Sequence, residues 1–288
     1  MTEAAEILLR SLFLGIIYAV AASGLALIFG VMRVVNAAHG ELIMLGGYIA
    51  YMLWSAAGFH PLLAMGVAAL LMALFGVLLQ RFILERVVGQ PEMSSLLLTF
   101  GLSLILVDLA RGLFTTTLRS IVYLQEPVSV LGASYAQNNL LTLVLGLGVG
   151  AGLFLFLKYH PLGKAVRATA QNEDLALACG IDCRQVRLVS FGLGSALAGL
   201  AGTVWAINYS LFPSVGQNLI ITLFAIVVLG GMGSVGGAFL GGIILGLAQV
   251  VTARYLTTQL SLFTAFILLL GLLLIRPQGL FGAGAGER

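Results

Sequence analysis

The side chains that could do chemistry are few, and they gather in two places. Asn36, His39 and Glu41 stand together between two apolar runs, with Arg33 just before them. A polar or ionisable group inside an apolar segment is costly, so each needs a role. A metal pair is a poor fit, because His39 and Glu41 are two residues apart, which does not set them on one helical face. Two readings stay open. The cluster caps and pins the start of a helix with Arg33 as charge partner, or it forms part of a pathway or gate. Asp108 and Arg111 have the i, i+3 spacing of a helical ion pair. Asn208, Tyr209 and Gln249 are further groups that could line a polar path.

The second place is the polar connection from Pro161 to Cys183, which is too polar to span a bilayer yet rich in helix formers. Asn172 followed by Glu173 and Asp174 has the form of an N-cap with acids in the first helical turn. Gly180 has the form of a residue just past a helix end. The spacing predicts a short helix over 164–170, a break at Gln171-Asn172, and a second helix over 173–179. Lys164 and Arg167 lie on the first, acids open the second, and Ala, Val and Leu supply an apolar side. Such a pair suits docking into a groove on a soluble partner, or rest on lipid headgroups.

The elements that position both clusters are membrane spans. Of the 288 residues, 60% are hydrophobic and only 9% charged, where a soluble domain carries about a quarter charged. Apolar runs near the ~20 residues needed for a crossing cover 7–31, 40–57, 62–80, 94–113, 139–158, 186–208, 218–253 and 260–276. The expected fold is all-α, a polytopic transmembrane helix bundle of about eight spans forming a single domain over 1–288. The 218–253 run is longer than one crossing needs and contains Gly230-Gly231-Met232-Gly233-Ser234-Val235-Gly236-Gly237. Glycine costs ~1 kcal/mol per helical position relative to alanine, so this run is expected to break into two shorter helices. Gly233 and Gly237 then belong to a buried turn or gate. Gly192, Gly194, Gly199 and Gly202 form a small-residue face suited to close helix packing. Phe29–Val35 can be laid over Leu229–Val235 as a faint internal repeat.

Topology follows the basic residues. Lys158, Lys164, Arg167, Arg184 and Arg187 make the connection around 159–185 cytoplasmic; alternation adds Arg33, Arg81 and Arg86, and a break in 218–253 adds Arg276 and Arg288. That puts ten of the 14 basic residues inside and the N-terminus outside. Met1 to Glu6 hold two acids and no base before Arg10, so the first run is expected to be a span and not a signal peptide.

Several functions find no residues behind them. The net charge of +3 is small and dispersed, against nucleic-acid binding. Cys179 and Cys183 lack a second pair or a histidine cluster, so neither a disulfide nor a metal site is expected. Ser195 and Ser234 have no base assigned to them, and no H-E-x-x-H or G-x-x-x-x-G-K-[ST] occurs. The chain is therefore expected to be no enzyme and to hydrolyse no ATP.

Four stretches carry a resemblance. Gly163-Lys164-Ala-Val-Arg167, Asn172, Ala176 and Gly180-Ile181 resemble the cytoplasmic coupling loop of ATP-binding-cassette importers. The others are Gly24 to Glu41 with Gly46 and Tyr48, Leu229 to Gly242, and Arg276-Pro277-x-Gly279-Leu-Phe-Gly282. Together, in this order, they resemble the branched-chain amino acid permease family of LivH type. The resemblance implies a permease without its own motor and with no bound cofactor. Its partners would be a second related permease subunit, two ATPase subunits that use ATP and Mg, and an extracytoplasmic substrate-binding protein. Gly163, Lys164, Arg167, Asn172, Glu173, Asp174 and Gly180 would dock on the ATPase. The membrane would be the bacterial inner membrane. Cargo would be branched-chain or other hydrophobic amino acids, or urea, amides or aromatic compounds. A stand-alone secondary transporter or channel using His39, Glu41 and Asp108 is the contrasting reading.

Overall fold

The computed structural model describes residues 2–130, 132–276 and 279–281. Pro277, Gly282 and Arg288 lie outside the described residues. Each long apolar run is helical: α1 (Thr2–Met32), α2 (His39–Ser55), α3 (Pro61–Phe82), α4 (Glu92–Phe114) and α5 (Gln137–Tyr159). The polar connection forms α6 (Pro161–Gln171) and α7 (Glu173–Ala178). The chain then continues as α8 (Cys183–Asn208), α9 (Val215–Gly230), α10 (Val235–Tyr255) and α11 (Thr258–Ile275). Among the described residues, six of these are long and apolar enough to cross a membrane, and the chain is a multi-pass membrane helix bundle.

The 218–253 run does break, at a turn over 231–234, so α9 and α10 are separate helices. Gly233 takes φ +84°, a left-handed backbone that glycine adopts without strain. The 114–138 connection carries a small antiparallel hairpin pairing Pro127–Val130 with Ala133–Ala136.

The enclosed centre is α1 packed on α8. Antiparallel packing is set by Gly24 against Gly194 at one level and Ile16, Ile17 and Val20 beside Leu200, Ala201 and Val204 at another. Helices α3, α4, α5 and α11 turn leucines and phenylalanines outward, as lipid permits: Leu97, Leu113, Phe154 and Ile267 are exposed. The glycines of α8 face α1, α2 and α3, where side chains would force the backbones apart.

Two helices are too short to cross alone. At 1.5 Å per residue, the 17 residues of α2 and 16 of α9 span about 25 Å of a ~30 Å hydrocarbon core. Each follows a full-length helix after six non-helical residues, 33–38 after α1 and 209–214 after α8. The first of these turns back into the bundle. His39 Nε2 bonds the carbonyl of Ala21, 3.1 Å away, although Ala21 precedes the end of α1 by three helical turns. The N-termini of α2 and α9 then meet, with Gly40 against Gly216.

The arrangement repeats with reversed direction. α3 packs along α8 as α10 packs along α1, and the half-length helices α2 and α9 lie between. The equivalent segments are 33–38 and 209–214. Phe29–Val35 and Leu229–Val235 are not equivalent; they are neighbours, with Gly30 packed on Gly233. The apparent repeat between them reflects a shared need for small residues at one contact.

Candidate functional site

Exposed backbone in a membrane interior must find protein partners. The 33–38 segment finds them on α4. The Val35 amide donates to Ser95 Oγ at 3.3 Å and the Ala37 amide to Thr99 Oγ1 at 3.0 Å, while Thr99 Oγ1 lies 2.9 Å from the Val35 carbonyl. Asn36 Oδ1 accepts from the Ala38 amide at 3.1 Å and tightens the turn into α2. The 209–214 segment is held differently: Leu211 and Arg119 exchange backbone hydrogen bonds of 2.7 and 3.1 Å.

Asn36, His39 and Glu41 are all fully enclosed, at 1% exposure or less. Asn36 and His39 pin the start of α2, as one of the two readings expects. Arg33 is not the charge partner of Glu41. It is exposed, at φ +52°, while Glu41 is fully enclosed beside the Ser103 hydroxyl. The turn that carries Arg33 out of α1 aims it away from the bundle that encloses Glu41.

Asn208 and Gln249 tie helices together. Asn208 Nδ2 donates to Thr142 Oγ1 at 2.8 Å, and Tyr18 Oη donates to Gln249 Oε1 at 3.0 Å. Asp108 and Arg111 pair at 3.1 Å on an exposed face, as their spacing expects.

The four resembling stretches meet around the α9–α10 turn. Gly30 packs on Gly233, and Gly279 packs on Gly231. The Leu280 amide donates to the Leu229 carbonyl at 2.9 Å, closing the chain over the α9–α10 turn. Gly237 lies against the Gly230 carbonyl, and its amide donates to Ser234 Oγ, the N-cap of α10, at 3.1 Å.

Beside this turn sits the α6–α7 pair. His160 and Pro161 open α6, with His160 Nδ1 accepting from the Leu162 amide at 3.2 Å. Asn172 ends α6 and caps α7 through Oδ1, which accepts from the Leu175 amide at 3.0 Å. Gly180 terminates the pair at φ +80°. The helix–break–helix pattern agrees with the sequence, with α6 starting at Pro161.

The residues named in this segment divide by position. Gly163 is buried, pressed against the Phe156 carbonyl of α5, so it fastens α6 to the bundle. Lys164, Arg167, Asn172 and Asp174 are exposed. Arg167 bonds the Lys158 carbonyl at 3.5 Å and borders a small cleft of about 50 Å³ between α1, α5, α6 and the α9–α10 turn. Glu173 is committed inward, its carboxylate bound to Arg187 of α8. The same segment carries three exposed leucines, Leu162 (44%), Leu175 (64%) and Leu177 (53%). Sequence reading passed over Arg187 as one basic residue among five, and no local spacing links it to its partners.

Both cysteines are free. Cys183 is buried, 3.7 Å from Thr169 Oγ1, and Cys179 is exposed.

Comparison with known proteins covers almost the whole chain. Residues 7–275 match the family model described as branched-chain amino acid transport system / permease component. The chain is 30% identical over 290 residues to the high-affinity branched-chain amino acid transport system permease protein LivH of Escherichia coli K12, covering 96% of this chain and 94% of that protein. A 125-residue stretch, 42% of this chain and 28% of the relative, is 34% identical to the permease protein LivM of the same organism. Among solved structures, PsaBC from Streptococcus pneumoniae, in complex with Fab, shares the fold. Its TM-score is 0.51 at 15% identity, covering 94% of this chain and 92% of that one.

Proposed function

This chain belongs to the branched-chain amino acid transport permease family, and we propose that it forms, with a second related permease, the path of an ATP-binding-cassette importer for branched-chain or other hydrophobic amino acids. Similarity of one stretch to LivM, a permease named for the same kind of system, supports a pair of related permeases. In this reading ATP and Mg are used by two ATPase subunits, an extracytoplasmic binding protein delivers the amino acid, and this chain binds no cofactor.

The observation that carries the reading is the outward face of α6–α7. Leu162, Leu175 and Leu177 are exposed on a segment too polar to enter lipid, and Lys164, Arg167 and Asp174 are exposed on the same segment. Exposed leucines on a charged, helical segment suit a groove on a soluble protein. The ATPase is the occupant proposed for the partner side.

A push on this face has a defined route. Gly163 joins α6 to α5, and the inward contacts of α7 join it to α8. α8 in turn packs against α1, α2 and α3, so its displacement bears on the Gly40–Gly216 junction where the half-length helices meet. Closure of the ATPase pair would thereby bias the bundle between two packed states.

The test is co-purification. Leu175→Ser with Leu177→Ser should leave the chain inserted and lower the ATPase recovered with it by about tenfold, the scale of losing one buried apolar anchor. Full recovery of the ATPase on that variant would contradict docking at this face.

A further inference from the structure

Arg187 sits in the second turn of α8 and joins it to the neighbouring α7 and to the turn after α3, about a hundred residues earlier in the chain. Its Nη2 lies 2.6 Å from Glu85 Oε1 and its Nε 3.4 Å from Glu85 Oε2, a two-pronged contact with the 3-10 turn that follows α3. The remaining prong, Nη1, bonds Glu173 at the start of α7. Glu85 is steadied from a third side by Gln80, whose Nε2 donates to Oε2 at 2.8 Å and which is fully enclosed. The Arg187 side chain is only 13% exposed, Glu85 19% and Glu173 39%.

This is not a solvated surface pair. An exposed ion pair is easily replaced by water and transmits little. A guanidinium enclosed between two carboxylates is held in position, because pulling either acid away leaves a buried charge uncompensated. The planar fork of arginine reaches both acids at once, and the point charge of lysine does not. A second, softer link runs alongside: Cys183 Sγ lies 3.8 Å from the Glu173 carbonyl.

We propose that Arg187 is a positioning residue that makes α7, α8 and the α3–α4 turn move as one body, so that displacement of the coupling helix reaches the spans. The inference rests on the reading of α6–α7 as the ATPase dock. Without Arg187, α7 would still present its leucines to the partner, but its movement would be lost before reaching α3 and α8. The role is therefore in coupling, separable from docking.

The experiment uses the assembled importer in proteoliposomes, with leucine as probe. ATPase retained on the tagged chain, stimulated ATP hydrolysis, and leucine transported per ATP are measured together. Glu173→Gln breaks only the more exposed arm and leaves the Arg187–Glu85 contact intact, so folding is preserved even where Arg187→Gln fails to accumulate. Glu173→Gln and Arg187→Lys are expected to retain the ATPase and its hydrolysis while transport per ATP falls about tenfold, within the usual range of coupling between sites. Combining Glu173→Gln with Arg187→Lys should add little to either alone, since both remove one link. Unchanged transport per ATP in Glu173→Gln would overturn the proposal. Docking fails separately, on the Leu175→Ser, Leu177→Ser variant, if the ATPase stays bound there.

Discussion

Gly40 and Gly216 stack backbone on backbone at the meeting point of α2 and α9; a Cβ on Gly216 would lie 2.6 Å from the Gly40 carbonyl carbon. A closest approach of this kind leaves no room for a side chain on either partner. Gly40→Ala and Gly216→Ala should each lower stability by about 1–3 kcal/mol, the usual scale of overpacking. The pair should fall short of additive, because one displacement relieves both clashes. Unfolding of the detergent-solubilised chain by heat or denaturant measures this, and an unshifted transition in both single variants would contradict the contact.

Ser95 and Thr99 are predicted to matter for the fold more than their small size suggests. They satisfy the amides of Val35 and Ala37 in a segment with no regular structure. Thr99→Val keeps the shape and orphans one buried amide, at a cost of about 1–3 kcal/mol. Valine at this position with full stability would mean that 33–38 finds other partners.

The spans, the break in 218–253 and the α6–α7 pattern were legible in the sequence, because each is a local property of apolar run length, glycine content or capping residues. Asn172 announces α7 by its own side chain. The depth at which α2 and α9 begin was not legible, since it depends on Gly40 finding Gly216 across 176 positions. Glu173 shows the same limit. Its neighbours mark it as a first-turn acid, and only the packing of α7 beside α8 reveals that it pairs with Arg187. The reversed repeat was hidden for a related reason. Equivalent positions such as His39 and Val215 share a place in the fold and no chemistry.

Gly237→Leu should prevent α9 and α10 from closing against one another, because Gly237 abuts the Gly230 carbonyl. Loss of folded protein after solubilisation is expected, by several kcal/mol where backbone must shift. Gly236→Ala, at a position with open space beside it, serves as the control and should behave as the parent chain. Equal recovery of Gly237→Leu and the control would argue against the tight turn.

The Glu41 carboxylate makes no close hydrogen bond among the described residues and has no basic partner there, with only the Ser103 hydroxyl beside it. A buried charge without a partner is a liability to the fold, so Glu41→Gln should insert normally and unfold no earlier than the parent. Glu41→Lys should fail to accumulate. A large loss of stability in Glu41→Gln would reveal a partner that the carboxylate needs.

The central claim is that this permease works only as part of an ATP-driven assembly. Uptake of labelled leucine into membrane vesicles tests it, with and without the ATPase and second permease, and with valine, phenylalanine and urea as competitors. The account predicts uptake that needs ATP and both partners and yields to valine. Competition by urea alone would keep the machine and change its cargo. Gradient-driven uptake by this chain alone would contradict the account.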